Sequence, residues 1–179
     1  MRHITLDDGT VVNLKVAAHD DYDYGRYEYL YAWLCKVDQF LARQYKLEDL
    51  IDNKAQWLRN LENNKVTLLS IYKDNIVGSA TLILNEPRLR ASHVASFGVV
   101  VHPDFQRKGL GKRLIAALEQ IARDKGIKKI EVNFFDGNPA AALYRSLNYD
   151  YEGRRRKKGL LNDGTYVDEI LLSKFINPF

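Results

Sequence analysis

Residues 99–113 combine an apolar segment, a turn and a glycine-bearing loop at the expected start of a helix. Gly109 and Gly111 allow the backbone to approach a ligand closely, because they carry no Cβ. The first N–H groups of a helix have no intrahelical partner, and the helix dipole places partial positive charge there. Three basic residues add formal charge: Arg107, Lys108 and Lys112. The pattern therefore predicts a backbone cradle for a pyrophosphate group.

Length and composition indicate one globular domain. The chain has 179 residues, of which 46% are hydrophobic and 28% charged, and its formal net charge is +4. This length suffices for a core of its own, so residues 1–179 are interpreted as a single domain. No segment resembles a membrane span or a signal peptide, and we expect no membrane partner. The single cysteine, Cys35, excludes an internal disulfide and favours a cytoplasmic protein.

Hydrophobic periodicity predicts a mixture of helices and strands. A 3.6-residue period predicts helices over residues 22–41, 47–60 and 110–125, and a fourth helix starts at Asn138-Pro139 and ends near Asn148. Alternating or continuous apolar segments predict strands over residues 10–16, 66–72, 76–84, 92–101, 129–135, 151–160 and 165–175. Gly98 lies inside the fourth strand, which it weakens unless a β-bulge or a close approach of another backbone is needed there; a bulge would separate the strand from its parallel neighbour. The order of elements predicts an α+β fold with a largely antiparallel sheet and one parallel pair.

Two motifs resemble a known family. Gln106-Arg-Lys-Gly-Leu-Gly111 is similar to the (Gln/Arg)-x-x-Gly-x-(Gly/Ala) signature of the GCN5-related N-acetyltransferases, the GNAT family. Residues 138–149 resemble that family's second motif, which includes a Leu-Tyr pair. Asn148 stands where glycine is usual, and asparagine tolerates the left-handed conformation required there. The resemblance implies a mixed sheet of about seven strands with about four helices, splayed between the fourth and fifth strands.

The resemblance also implies acetyl-CoA as the acyl donor, with no metal. It places the pyrophosphate on the backbone N–H groups of the glycine-bearing loop, and the pantetheine arm along the end of the fourth strand. It places Tyr144 near the sulfur atom, as the general acid that protonates the departing thiolate. The residues implied in donor binding are Val99, Val100, Val101, Gln106, Arg107, Lys108, Gly109, Leu110, Gly111, Lys112, Asn138 and Tyr144.

The general base has three candidates. Some family members carry a glutamate on the strand before the cradle, but the corresponding residue here is Ala95. Glu131 lies on the fifth predicted strand, opposite the apolar face formed by Ile130 and Val132, and either serves as the base or is a solvated surface residue. His93 is a second candidate, and a chain of water molecules is the third. Tyr144 could equally be a core residue at helical spacing.

The same resemblance implies that the acceptor is a primary amine, which could be a small amine, a polyamine or a protein N-terminus. Three aspartates among the tyrosines of the first helix favour a cationic amine: Asp20, Asp21 and Asp23. Cys35 lies far from the cradle in sequence, which favours direct attack in a ternary complex over a covalent acyl-enzyme. The last two strands could pair with a second copy, giving a homodimer.

Other functions fit fewer of the residues. A transferase using another acyl-CoA and a non-catalytic acyl-CoA-binding or sensor domain would share the same cradle. The basic segment from Arg154 to Lys158 lacks interleaved aromatic residues, so we expect no nucleic-acid partner. A nucleotide-hydrolase loop is excluded because its Gly-x-x-x-x-Gly-Lys-(Ser/Thr) spacing is missing.

Overall fold

An eight-stranded mixed sheet forms the centre of the protein, with strand order β1-β2-β3-β4-β5-β6-β8-β7. A computed structural model describes residues 2–41, 44–46, 48, 53–59, 61–62 and 64–177. The strands are β1 (Arg2–Thr5), β2 (Val11–Val16), β3 (Lys65–Tyr72), β4 (Asn75–Leu84), β5 (Val94–Val101), β6 (Lys129–Phe135), β7 (Asp150–Leu160) and β8 (Tyr166–Phe175). The helices in the described part are α1 (Tyr24–Val37), α2 (Asn53–Arg59), α3 (Leu110–Asp124) and α4 (Ala141–Ser146).

The predicted α+β class is confirmed, and three details differ. The sequence analysis missed β1, a four-residue strand that pairs antiparallel with β2 and brings the described strands to eight. Helix α1 ends at Val37, because the chain tightens into a 3₁₀ turn over Asp38–Phe40. Of the helix predicted over residues 47–60, α2 covers Asn53–Arg59, and Leu47, Leu50 and Ile51 lie outside the described residues.

Helices cover the two faces of the sheet unequally. On one face, here called the α3 face, α3 buries a stripe of side chains that are 0–1% exposed: Leu110, Leu114, Leu118 and Ala122. These residues contact the inward-facing residues of β5 and β6, among them Phe97 and Ile130. On the opposite face, the α1 face, Tyr27, Trp33 and Trp57 cluster over β3 and β4. The predicted core positions Tyr27 and Tyr31 are 4% and 3% exposed.

A buried ionic network fixes the end of α3 against the last strand. Glu119 is 6% exposed and accepts hydrogen bonds from Lys174 Nζ at 2.9 Å and 3.0 Å. The Tyr149 hydroxyl donates to the same carboxylate at 3.1 Å, and Arg123 forms an ion pair with it at 3.3 Å. Because a buried carboxylate requires such partners, these contacts join α3, β8 and the segment after α4 into one unit.

Two chain reversals contain residues in the left-handed conformation, and that of Asn148 was predicted. Lys73 and Asp74 have φ values of +46° and +69°, the geometry of a tight hairpin between β3 and β4. Asn148 has a φ of +61° directly after α4, which is the left-handed conformation expected at that position. None of the described helices is both long enough and apolar enough to cross a membrane.

Candidate active site

In the candidate site, β5 and β6 separate from each other at a point here called the fork. The opening that they leave between them is here called the slot. These strands pair in parallel only at Val94–Lys129, Ala95–Ile130 and Ser96–Glu131. β5 then continues to Val101 along β4, while β6 continues to Phe135 along β8. The predicted splay between these two strands is therefore confirmed. From Phe97 onward, the edge of β5 that faces the slot has no strand partner.

The expected bulge at Gly98 is wrong. The pairing of β4 with β5 runs without a register shift from Leu84–Ala95 to Gly78–Val101, and Gly98 lies opposite Thr81 within it. The strands separate because each follows its own antiparallel neighbour. A Cβ built on Gly98 would have no other atom within 4 Å. The glycine therefore leaves open space beside the slot rather than bending the strand.

The cradle follows β5 directly. His102 Nδ1 accepts a hydrogen bond from the Asp104 N–H at 3.1 Å, and Gln106 Nε2 donates to the Val101 carbonyl at 3.0 Å. Arg107 and Gly109 then adopt positive φ values of +55° and +79°, and α3 starts at the next residue. No other described residue accepts a hydrogen bond from the backbone N–H groups of residues 107–112.

This loop fits a pyrophosphate group. Its N–H groups are consecutive and precede a 15-residue helix, whose dipole favours an anion. Gly109 is required by its positive φ, and Gly111 by packing, since a Cβ there would lie 3.3 Å from Leu143. Arg107 and Lys112 are exposed beside the loop. The cradle can thus hold an anion through its backbone, with cations at its rim.

An acidic turn that the sequence analysis did not connect to the site lies on the cradle. The Asp7 N–H donates to the Lys108 carbonyl at 3.0 Å. Asp8 forms an ion pair with Lys108 at 2.9 Å, and Asp7 forms one with Arg113 at 3.0 Å. Hydrogen bonds from Lys108 and Thr10 lower the pKa of Asp8 to about 2. The β1–β2 turn therefore braces the cradle and neutralises two of its cations.

Tyr144 lies at the fork on the α3 face. Its ring stacks on Phe134 of β6 with centroids 5.4 Å apart, and its centroid is 6.0 Å from that of Phe97 of β5. Phe97 is the first residue of β5 beyond the paired segment. Tyr144 is 5% exposed, and this burial raises its pKa to about 12. The phenol therefore keeps its proton at neutral pH, as a general acid must.

The two candidate general bases, Glu131 and His93, lie at or next to the paired residues of β5 and β6. Glu131 is at the fork but faces the α1 side, and its carboxylate is 2.9 Å from Lys129 Nζ. Lys129 also contacts Glu152 at 2.7 Å. His93 precedes β5 at the closed end of the fork, where its carbonyl accepts the Lys128 N–H at 2.9 Å. The structure thus places Glu131, but not His93, beside the opening of the slot.

Asn138 accepts two hydrogen bonds from backbone N–H groups at the start of α4. Its Oδ1 accepts a hydrogen bond from the Ala140 N–H at 2.9 Å, and its carbonyl accepts the Ala141 N–H at 3.1 Å. Helix α4 begins at Ala141, two residues later than predicted, because residues 138–140 form a turn. The side chain that the resemblance assigns to the donor therefore also stabilises the helix that carries Tyr144.

The acidic residues before α1 have local partners. Asp21 forms an ion pair with Lys15 and accepts a hydrogen bond from the Ala18 N–H at 2.9 Å. Asp23 Oδ1 accepts the Arg26 N–H at 2.9 Å, at the start of α1. Two of the three aspartates are thus used in folding, so they give little support to a cationic acceptor.

Comparison with known proteins identifies the family of the chain. Residues 27–149 match the family described as Acetyltransferase (GNAT) family, and the chain belongs to that family. It is 28% identical over 109 residues to the L-amino acid N-acetyltransferase AaaT of Escherichia coli, a match covering 60% of this chain and 66% of that protein. That span is just under two thirds of the relative's length.

A second relative and a solved structure extend the comparison. The glucosamine 6-phosphate N-acetyltransferase of Schizosaccharomyces pombe is 30% identical, over 47% of this chain and 76% of that protein. The structure of a GNAT-family acetyltransferase from Streptococcus pneumoniae superposes with a TM-score of 0.75 at 18% identity, covering 92% of this chain and 99% of that one. At this identity the likeness concerns the fold.

The cradle yields a test of donor binding. We expect Gly109→Ala to weaken acetyl-CoA binding and to cost about 1–2 kcal/mol of unfolding free energy, because a Cβ disfavours its left-handed backbone. Gly126→Ala is the matched control, since Gly126 has a φ of +76° at the other end of α3. Calorimetric titration with acetyl-CoA would contradict the cradle if both variants bound equally well.

Proposed function

We propose that the protein transfers the acetyl group of acetyl-CoA to a primary amine of a small molecule, by direct attack in a ternary complex. The observation that carries this proposal is the fork, which opens beside the cradle and has Tyr144 against both of its strands. Acetyl-CoA would supply an activated thioester. The protein's own groups would bind it, orient it and transfer protons at the amine and at the sulfur.

Each group has one task in this proposal. The N–H groups of residues 107–112 hold the pyrophosphate, and the unpaired edge of β5 from Phe97 to Val101 pairs with the pantetheine arm. N–H groups on that edge also stabilise the negative charge that develops on the thioester oxygen. As the C–N bond forms, the amine loses a proton to Glu131 or to a water chain; as the C–S bond breaks, Tyr144 donates its proton to the sulfur, and the phenolate then regains a proton from solvent. Cys35 lies on α1, whereas β5 and β6 bound the slot, which supports direct attack.

A small acceptor is favoured by the segment that follows α1. Phe40 lies 3.5 Å from the position that a Cβ of Gly137 would occupy, next to the end of β6. The Gln44 side chain donates to Asn162 in the turn between β7 and β8. These contacts place Phe40 beside the turn after β6 and Gln44 beside the β7–β8 turn, and a bulky acceptor would have to pass both residues. The two curated relatives are named for small amines, an L-amino acid and glucosamine 6-phosphate.

Release of free thiol from acetyl-CoA in the presence of an amine tests the activity. We expect amino acids and small amines to raise thiol release above the rate without amine, and polyamines and peptides to raise it less. Succinyl-CoA serves as the control donor. Binding of acetyl-CoA without acceleration by any amine would instead support a sensor domain, and faster turnover of succinyl-CoA would support another donor.

Tyr144→Phe tests the general acid. We expect turnover to fall about 10²-fold with acetyl-CoA affinity nearly unchanged, because only the proton donor is lost. The deficit should be constant from pH 6 to 9, since the phenol with a pKa of about 12 stays protonated throughout. Tyr149→Phe is the matched control, because this neighbouring hydroxyl donates to Glu119 and should affect stability alone. Equal turnover in Tyr144→Phe and the native protein would remove Tyr144 from the mechanism.

Glu131→Gln tests the proposed base. If Glu131 helps to deprotonate the amine, the variant should turn over more slowly, with its optimum shifted to higher pH, where more amine is already neutral. Glu152→Gln is the control, because Glu152 shares Lys129 with Glu131 but belongs to β7. Matching pH–rate profiles for the two variants would assign both glutamates to the ion-pair network.

A further inference from the structure

A row of three polar side chains crosses the α1 face beside the slot. Asn133 of β6 donates from Nδ2 to Glu169 Oε1 at 2.6 Å, and Arg155 of β7 donates to Glu169 Oε2 at 2.7 Å. Glu169 lies on β8, between those two strands. Its side chain is 7% exposed, whereas that of Arg155 is 58% exposed. The row thus starts at the slot and ends in an exposed guanidinium group.

The slot is open at the start of this row. Ser96 and Glu131 form the last pair of the fork, so Gly98 and Asn133 are the next residues on the same face. Gly98 has no side chain, and none of the described residues beyond its two chain neighbours has an atom within 4 Å of a Cβ built on it. Phe135, the next residue of β6 on this face, lies against Gly159 of β7. An amine can therefore reach the slot over Gly98 and Asn133.

Glu169 holds the Arg155 guanidinium group in place, and among the described residues the other N–H donors of that group have no acceptor. Glu169 fixes the orientation of the guanidinium group, and both of its carboxylate oxygens are occupied by protein donors. A guanidinium group has five N–H donors in a rigid fork, which matches a carboxylate bidentately. Arg154, its neighbour, faces the other side and contacts both Asp136 and Asp168. Among the described residues, Glu169 is the one acidic partner of Arg155.

We infer that Arg155 binds a carboxylate group of the amine acceptor, so that the substrate is an amino acid rather than a simple amine. The inference rests on the proposed function. Glu169 joins the guanidinium group to Asn133 through hydrogen bonds of 2.7 Å and 2.6 Å, so a positive charge is held on the side of the slot where Asn133 lies. An acceptor that carries a carboxylate as well as its amine complements that charge. Glu169 and Asn133 are positioning residues for Arg155 and for the acceptor.

The test compares amino acids with the amines that lack only the carboxylate: leucine with isopentylamine, and phenylalanine with phenethylamine. Thiol release gives kcat and KM for each acceptor with the full chain. Calorimetric titration of the same compounds into protein saturated with CoA gives binding without turnover. We expect the native protein to prefer each amino acid. Arg155→Gln should raise KM for the amino acids on the order of 10-fold or more, and leave the simple amines within about 2-fold.

Three further variants separate recognition from stability. Arg155→Lys keeps the charge but loses the planar fork, so it should recover part of the preference. Arg154→Gln removes a cation from the same strand on the opposite face and should keep the full preference. Gly98→Val should raise KM for every acceptor, because its side chain enters the space beside the slot.

The outcomes distinguish the two proposals. Equal use of amino acids and simple amines by the native protein, or an equal loss for both in Arg155→Gln, would overturn the role of Arg155. Failure of every amine to release thiol would overturn the proposed function. In that case, calorimetry still decides on Arg155. Loss of amino-acid binding in Arg155→Gln supports its role. Unchanged amino-acid binding in Arg155→Gln, or no amino-acid binding to the native protein, contradicts it.

Discussion

The short parallel pairing between β5 and β6 is the constraint on which the rest of the site depends. Three residue pairs join the strands, and each then follows its antiparallel neighbour, β4 or β8, away from the other. The fork is therefore held open by ordinary sheet pairing on its outer edges. The crossover from β5 to β6 runs through α3 and places the start of that helix where β5 ends. One topological arrangement thus brings an unpaired strand edge and an anion-binding loop together.

The two faces of the fork have different physical character. On the α3 face, Phe97, Phe134 and Tyr144 surround the opening with buried aromatic rings, and the phenol pKa rises because its charged form is desolvated there. On the α1 face, Gly98 and Asn133 leave the opening accessible to polar groups. A proton donor that must stay protonated belongs on the first face, and an acceptor that arrives from water belongs on the second.

The sequence predicted the parts of the site that depend on local signals. The cradle, the bounds of α3 and β6 and the left-handed Asn148 follow from glycines, periodicity and helix-end chemistry within short segments. Contacts between distant segments were not predictable in this way. Asp7 meets Arg113 across more than a hundred residues, and Arg155 meets Glu169 only because a hairpin sets their register. The predicted bulge at Gly98 is wrong for the same reason, since the space beside Gly98 depends on where β6 separates from β5.

The acidic turn on the cradle cancels part of the formal charge around the loop. Asp8 and Asp7 neutralise Lys108 and Arg113, so much of the loop's formal charge is cancelled within the protein. The backbone N–H groups of residues 107–112 are not affected by this pairing, and they require an acceptor at hydrogen-bond distance and in the right direction. Attraction by net charge would favour any polyanion, whereas directed N–H donors favour a group of the right shape. With part of its formal charge cancelled, the loop presents mainly directed N–H groups to an anion, which is what the proposed binding of a pyrophosphate group requires.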